Sequence, residues 1–173
     1  MKLGSAPEYW YEMMLAELKP LHRVNQRVRA ILLTGDDTVL LIKRMKPNGS
    51  ACYWVAPGGG VEHGDADLIA TLERELYEEL GAVATVLSTA FVLEHWKAGK
   101  QLEEHFFLCR LHGYDLSKRY GPEFGDPAKG EYIPDEVPLD SFELRRINIK
   151  TPELRDWMIQ NLDSLRSLQL ATV

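Results

Sequence analysis

The segment from Gly58 to Gly81 constrains the fold of this chain more than any other. It begins with three consecutive glycines and continues into a run whose leucines recur every four residues, at Leu68, Leu72, Leu76 and Leu80. That spacing predicts an amphipathic helix whose leucine face packs against another layer. We expect Asp65 to cap the start of this helix and Gly81 to end it, because these residue types favour those positions.

Three carboxylates share one face of the predicted helix. Glu75, Glu78 and Glu79 stand at positions i, i+3 and i+4, a spacing that weakens an isolated helix because like charges become neighbours. Such an oxygen-rich cluster suits a hard divalent cation such as Mg²⁺. The alternative is an ordinary solvated helix face. The glycines just upstream favour a site, since backbone groups and carboxylates could converge there on one ion.

The net charge of −6 is concentrated in this same segment. Residues 62–79 hold seven acids and one base, whereas the rest of the chain holds nineteen of each. Binding to nucleic acid or to an anionic membrane needs a basic surface, so we expect neither as a partner. The charge excess describes a local site and not the whole surface.

The same residues resemble the Nudix box, the signature of the Nudix hydrolases. The family pattern is a glycine, five residues, a glutamate, seven residues, and then Arg-Glu-apolar-any-Glu-Glu-any-Gly-apolar. Its second half is matched at every fixed position from Arg74 to Ala82. Residues 39–44 and 54–57 are also similar to the family's usual lead-in, and the resemblance covers about residues 25–145.

The box spans residues 59–82, and its first half departs from the family pattern. Counted from Gly59, the acidic position falls on Asp65 in place of glutamate, and eight residues then separate it from Arg74. Counted from Gly60, the spacing is restored, but Ala66 takes the acidic position. We favour Gly59 and Asp65 with one extra residue near the helix start, which leaves the role of Asp65 open.

The resemblance implies an enzyme that uses water to cleave the pyrophosphate bond of a nucleoside diphosphate linked to another moiety. Adjacent phosphates repel a nucleophile, so cations must bridge their oxygens. The implied cofactor is Mg²⁺, with Mn²⁺ as a substitute, and the implied substrate is a small nucleotide or nucleotide sugar. The alternative is a catalytically silent module of this fold that senses a nucleotide. The three retained glutamates favour the enzyme.

Carried over position by position, the resemblance gives each residue of the box a role. Glu78 and Glu79 would be the principal metal ligands, and the carbonyl of Gly58 would add a backbone oxygen. Glu75 would be a further ligand or the base that orients the attacking water. Arg74 would hold the carboxylates by ion pairing.

A fourth acidic ligand often enters from a later strand or loop in this family. Glu104, or else Glu103, is the candidate here. The alternative for both is an ordinary acid at the start of a strand.

We expect one domain over residues 1–173 with an α+β fold (an α/β/α sandwich), in which helices flank both faces of a mixed sheet. Its core is expected over about residues 25–145, between helical extensions at both ends. Residues 114–135 are rich in Gly, Pro and Asp and predict a long loop. The predicted elements are a hairpin at 28–44, strands at 52–56, 83–94 and 102–111, and terminal helices at 7–20 and from Thr151 onward.

Several side chains outside the box are open to two interpretations. Bases on the predicted hairpin could meet phosphates, although solvated strand faces explain them as well: Arg27, Arg29, Lys43 and Arg44. Trp54, Trp96 and Phe91 could stack on a base, but Trp54 is better explained as core. For His63, His95 and His105 we expect structural or surface roles.

The cellular setting follows from what the sequence lacks. The two cysteines have no metal-binding spacing, and no apolar run reaches secretory or membrane-spanning length. We therefore expect a cytoplasmic protein that does not enter membranes. The two terminal helices offer a surface for a homodimer.

Overall fold

The computed structural model describes residues 25–122 and 124–170 of the 173-residue chain. In this part of the chain six strands form one mixed sheet. Their bounds are Asn25–Leu33 (β1), Thr38–Met45 (β2), Cys52–Val55 (β3), Val83–Lys97 (β4), Lys100–Gly113 (β5) and Glu131–Pro138 (β6). The helices are Leu68–Leu80 (α1), Ser141–Arg146 (α2), Pro152–Gln160 (α3) and Leu162–Leu170 (α4).

The sheet divides at β2. Its order is β3-β2-β1-β5-β4, and β6 also pairs with β2. β6 pairs with β2 along its whole length on one side. On the other side of β2, β1 pairs with the first part of the strand and β3 with the last part. β1 pairs with β2 only at Val39 and Leu40, while β3 pairs with it from Ile42 onward. β1 and β3 therefore diverge, and the glycine-rich segment that follows β3 lies along β1.

Two apolar cores lie on opposite faces of the sheet, which explains why β1 and β2 contain uninterrupted apolar runs. On β1, Ala30 and Leu32 face one core, while Ile31 and Leu33 face the other. The leucines of α1 fill the first core, and side chains of α2, α3 and α4 fill the second. Helices thus cover both faces, and the predicted α/β/α sandwich is confirmed. The buried apolar residues of these helices are Leu72, Leu76, Leu80, Leu144, Leu154, Met158 and Leu165.

Helix α1 begins two residues later than the predicted cap implies. Asp67 is the N-cap, and its Oδ1 accepts the amide of Ala70 at 2.8 Å. The prediction of Asp65 as the cap is wrong because an arginine of the same helix holds that carboxylate. The helix ends as predicted at Gly81, whose φ of 60° is left-handed.

Two other local expectations are corrected. The end of the predicted loop at 114–135 is the start of β6. The single helix predicted from Thr151 is divided at Asn161 into α3 and α4. The helix predicted for residues 7–20 lies outside the described residues. Within 25–122 and 124–170, no helix is both long enough and apolar enough to span a bilayer.

Candidate active site

The glycine-rich segment after β3 is held against β1 by backbone hydrogen bonds. The amide of Val28 donates to the carbonyl of Gly59, and the amide of Ala30 donates to that of Pro57, both at 2.9 Å. Gly58 has a φ of 131°, and a Cβ there would collide with the carbonyl of Val28. Only glycine tolerates this backbone angle and also leaves room for the Val28 carbonyl, so Gly58 allows the segment to lie this close to β1.

Gly58 joins acids from two distant elements. Its amide donates to Oε2 of Glu79, on α1, at 2.7 Å. Its carbonyl accepts Nη1 of Arg29, on β1, at 2.6 Å. The same guanidinium lies 3.2 Å from Oε1 of Glu104, on β5. The helix, the glycine segment and the later strand therefore meet at one place.

Arg74 organises the carboxylates of the helix. Its Nε and Nη2 donate to the two oxygens of Asp65, each at 2.9 Å. Its Nη1 lies 3.1 Å from Glu75 and 3.3 Å from Glu78. Nη2 also donates to the carbonyl of Gly60 at 2.9 Å. The guanidinium thus ties the helix to the glycine segment, and the role left open for Asp65 is to fix Arg74.

Charge pairing dominates the titration of Asp65. The Arg74 guanidinium and the amide of Glu62 hold the pKa of this carboxyl well below its ordinary value. The same contact raises the pKa of Arg74. Burial of Asp65, whose side chain is only 6% exposed, opposes its ionisation, but the hydrogen bonds from Arg74 outweigh that effect, so both partners keep their charge over the working pH range.

Glu75 lies in a pocket that glycine makes possible. A Cβ on Gly59 would overlap the Glu75 carboxylate, whereas a Cβ on Gly60 would meet nothing within 4 Å. Burial raises the pKa of Glu75, and the nearby Arg74 opposes that effect. A buried carboxylate of raised pKa is a stronger base than an exposed one.

Glu78 is held on both of its oxygens. Oε2 faces Arg74, while Oε1 accepts the hydroxyl of Tyr120 at 3.1 Å. The amide of Tyr120 also donates to the backbone carbonyl of Glu78 at 3.1 Å. The segment after β5 therefore returns to the end of α1 and fixes this glutamate.

The structure distinguishes the two candidates on β5. Glu104 faces Arg29 and is buried, as described above. Glu103 faces the opposite side of the strand, where Gln26 donates to it at 3.1 Å and His105 lies at 3.2 Å. Glu104 is thus the acid of this pair that joins the box residues.

The donor set suits a hard divalent cation. In the described part of the chain, no three His, Cys, Asp or Glu side chains are already placed around one metal position. Arg74 and Arg29 satisfy those oxygens instead. The available donors are carboxylates and one backbone carbonyl, which is the ligand chemistry of Mg²⁺. The half-buried Glu75, cradled against Gly59, is a carboxylate whose charge a cation would compensate.

A cleft of about 500 Å³ extends from these acids along the sheet. It begins at Glu79 and Glu104 and reaches residues of β2, β3, β4 and the segment before α3. Its size is that of a small-molecule site. The lining side chains that matter below are Arg27, Arg29, Arg44, Tyr53, His95, Lys97 and Lys150.

The structure also decides several of the open interpretations. Arg29 is a site residue and not a solvated strand charge. Phe91 belongs to the core, where its ring stacks on Phe106 at 4.3 Å. Trp54 packs against the same core and donates from its indole to Asp135 at 2.7 Å. Trp96 is 67% exposed.

Three side chains of this region were not identified by sequence reasoning as part of a site. Tyr120 falls in the predicted loop, and no local pattern marks it. His95, for which a structural or surface role is expected, lines the cleft. Lys150 follows a buried isoleucine in an irregular segment. No local pattern in the sequence indicated these three residues. The only sequence pattern that pointed to this cleft was the i, i+2 spacing of Arg27 and Arg29, which places two cations on one face of β1.

Comparison with known proteins identifies the family. A model of the NUDIX domain matches residues 24–158, whereas no curated protein matches the chain in sequence. A NUDIX hydrolase from Nitrosomonas europaea has a TM-score of 0.61 at 20% identity, over 82% of this chain and 90% of that one. The MutT protein from Methanosarcina mazei Go1 has a TM-score of 0.58 at 20% identity, over 82% of this chain and 94% of that one. A UDP-X diphosphatase has a TM-score of 0.60 at 16% identity, over 93% of this chain and 73% of that one.

These structures share the fold of this chain, and at such identities they show the fold alone. The family model covers more than half of the chain, including the glycine segment, α1 and Glu104. The resemblance seen in the sequence is therefore confirmed, and the chain belongs to the Nudix family of hydrolases.

Proposed function

We propose that this enzyme is a Mg²⁺-dependent pyrophosphohydrolase. Its substrate is a nucleoside diphosphate linked to another moiety, of the nucleotide or nucleotide-sugar type. The observation that carries the proposal is the meeting at Gly58 of the α1 acid Glu79 and, through Arg29, of the β5 acid Glu104. This meeting stands at one end of a cleft of small-molecule size.

The ligand set for the ion comes from three elements. Glu75, Glu78 and Glu79 would supply carboxylates from α1, Gly58 a carbonyl, and Glu104 a carboxylate from β5. A bound Mg²⁺ supplies charge stabilisation to the phosphate oxygens and lowers the pKa of a bound water. Mn²⁺ accepts the same ligands and is expected to substitute.

Arg74 and Asp65 are positioning residues in this proposal. The guanidinium spans Asp65, Glu75, Glu78 and the Gly60 carbonyl. It therefore keeps carboxylates that repel one another on one side of the helix. Asp65 occupies two of its donors, which limits the directions that the guanidinium can take.

Glu75 is the residue best placed to accept a proton from the attacking water. Its side chain is more buried than that of Glu78, the other α1 glutamate paired with Arg74, at 13% exposed against 25%. Its contact with Gly59 fixes where the carboxylate can lie.

A substrate panel with Mg²⁺ or Mn²⁺ tests the proposal. Wild type and Glu78→Gln are assayed against nucleoside diphosphate sugars, dinucleotides and nucleoside triphosphates. Loss of one ligand carboxylate should lower kcat/KM more than about 100-fold, since even residues behind the ligands cost 10–100-fold. Glu73→Gln, an exposed glutamate on the same helix, is the matched control and should retain activity.

Two outcomes would contradict the proposal. The first is that no diphosphate compound turns over with either metal. The second is that Glu78→Gln binds Mg²⁺ as tightly as wild type and keeps its activity. Nucleotide binding without turnover would instead identify a sensor of this fold.

A further inference from the structure

The cleft contains cations that its acids do not neutralise. Five basic side chains line it, and Arg29 is paired with Glu104. Within the described residues, no carboxylate lies within 4.0 Å of the other four. Those four are Arg27, Arg44, Lys97 and Lys150.

Arg44 is held in place by an aromatic ring and not by an acid. It stands on β2 between Tyr53 of β3 and Tyr132 of β6. Its guanidinium lies over the Tyr132 ring, 3.4 Å from the centroid. Nη2 donates to the carbonyl of Lys129 at 3.3 Å, whereas Nε is buried without a hydrogen-bond partner in the described residues. Nε is too buried to reach a ligand in the cleft, but Nη1 has no acceptor among the described residues and is available to an anion.

Lys150 is arranged in a similar way beside it. Its ammonium lies over the Tyr53 ring, 5.0 Å from the centroid, and Tyr53 is the β3 residue directly paired with Arg44. Lys150 itself is exposed. The aromatic faces orient both cations without cancelling their charge.

Four acids also line the cleft. Glu79 and Glu104 are among the proposed metal ligands. Glu94 and Glu153 line the cleft as exposed residues, and neither forms an ion pair with the bases within the described part of the chain. The cleft thus contains the acids that would hold the metal together with bases that no carboxylate of the described residues pairs.

We propose that Arg44 and Lys150 form a subsite for a third phosphate group, beyond the two of the pyrophosphate that is cleaved. This rests on the proposed function and narrows its substrate class to nucleotides with at least three phosphate groups. A phosphate offers acceptor oxygens to the Arg44 donors and charge to the Lys150 ammonium. The third phosphate has two sources: the end of a phosphate chain or a phosphate ester on a ribose.

Matched ligand pairs separate these sources. ATP is compared with ADP for the chain, and NADPH with NADH for the ribose ester, by KM and kcat with Mg²⁺. A binding arm without metal uses calorimetry with tripolyphosphate against pyrophosphate, and with adenosine 2′,5′-bisphosphate against AMP. The variants are Lys150→Gln, Arg44→Gln and the charge-retaining Arg44→Lys. Lys100→Gln, an exposed lysine that does not line the cleft, is the control.

In wild type, the three-phosphate member of one pair should bind about tenfold more tightly, the effect of one charge-assisted contact. Lys150→Gln and Arg44→Gln should remove that preference by raising KM and Kd, with kcat unchanged. Arg44→Lys should keep part of it, and Lys100→Gln should keep all of it. The pair that shows the preference identifies the source of the phosphate.

Equal binding of both members of every pair by wild type would overturn the subsite. So would variants that weaken both members alike, since Arg44 and Lys150 would then act on the shared pyrophosphate or on folding. Because Lys150 is exposed, its variant remains informative even if Arg44→Gln lowers Tm. If no compound is hydrolysed but the phosphate preference appears in the binding arm, the proposed function fails and the subsite stands.

Discussion

Position 59 requires glycine because of a distant side chain and not because of its own backbone. Gly58 has a left-handed φ, but Gly59 and Gly60 do not. What separates these last two is the Glu75 carboxylate, which occupies the space where a Gly59 Cβ would stand. Three adjacent glycines in the sequence therefore have three different physical situations.

Gly59→Ala is expected to lower activity without unfolding the enzyme. The new methyl group must displace the far end of the Glu75 side chain, and a shift of about 1 Å in a catalytic group can cost 10²-fold in rate. Gly60→Ala is the matched control and should retain kcat, because its Cβ has open space. Measurement of kcat and Tm for both variants tests this. Equal kcat for the two variants would contradict the role assigned to Glu75.

Asp65 provides a pH-dependent contribution to stability. Arg74 depresses the pKa of its carboxyl in the folded protein, so the contribution is present above the ordinary value of 3.8 and is lost as the pH falls below it. Asp65→Asn should therefore lower Tm at neutral pH. The difference from wild type should begin to shrink as the solution is acidified from about pH 5 to pH 3, because the unfolded chain then takes up a proton at Asp65 while the folded protein keeps this carboxylate charged.

Thermal melts across this pH range make the comparison. Asp36→Asn, an exposed aspartate outside the site, serves as the control and should follow wild type. A Tm difference for Asp65→Asn that stays constant down to pH 3 would show that the ion pair with Arg74 is not its cause.

At the scale of elements, different aspartates near the start of α1 cap the helix and bind Arg74. The two aspartates near its start are two residues apart, yet Asp67 satisfies a helix amide while Asp65 binds Arg74. Sequence pattern alone cannot distinguish them, because both precede the same leucine stripe and both residue types favour an N-cap. The choice depends on which carboxylate Arg74 reaches.

Asp67→Ala is expected to destabilise the fold and leave the chemistry intact. Loss of an N-cap costs about 1 kcal/mol, which lowers Tm by about 2–4 °C in a chain of this size. Asp67→Ser should preserve most of the stability, because serine also accepts the amide of Ala70. Chemical denaturation and kcat measurements check both variants. If Asp67→Ala and Asp67→Ser unfold at the same denaturant concentration, the side-chain cap contributes nothing.

β6 shows where sequence patterns fail for an element. It contains Pro134 and Pro138, and the residues before it are rich in glycine and proline, all of which favours a loop. The strand exists because it pairs with β2 alone, at an edge of the sheet, where a proline need not interrupt a second ladder. The hairpin of β1 and β2 and the helix α1 were predictable from sequence. In each of them, the apolar pattern that indicates the element lies within a few consecutive residues.

At the scale of the whole molecule, the acidic excess is a cost that a divalent cation would relieve. Acids of α1 repel one another, and Arg74 offsets only part of that repulsion. A ligand that binds only the folded state stabilises it by about 2.7 kcal/mol at a hundredfold excess over Kd. Mg²⁺ should therefore raise Tm in a saturable manner.

Melts with increasing MgCl₂ test this expectation, with NaCl at matched ionic strength to separate screening from binding. Glu78→Gln should respond less than wild type, and Glu73→Gln should respond like it. An equal rise in NaCl, or no rise in MgCl₂, would contradict a metal site on the free enzyme.

The sequence by itself determined the family, the helix with its acidic face, and the sandwich class, because a local motif, a four-residue leucine spacing and the order of short strands and helices indicate them. Tertiary structure alone decided which acid of β5 joins the site. Arg29 and Glu104 are 75 residues apart, and they meet only because β1 and β5 run parallel as neighbours. It also placed Arg44, Tyr53 and Lys150 together, from two strands and a later segment. Local periodicity carries no information on such pairings, since they are set by which strands lie side by side.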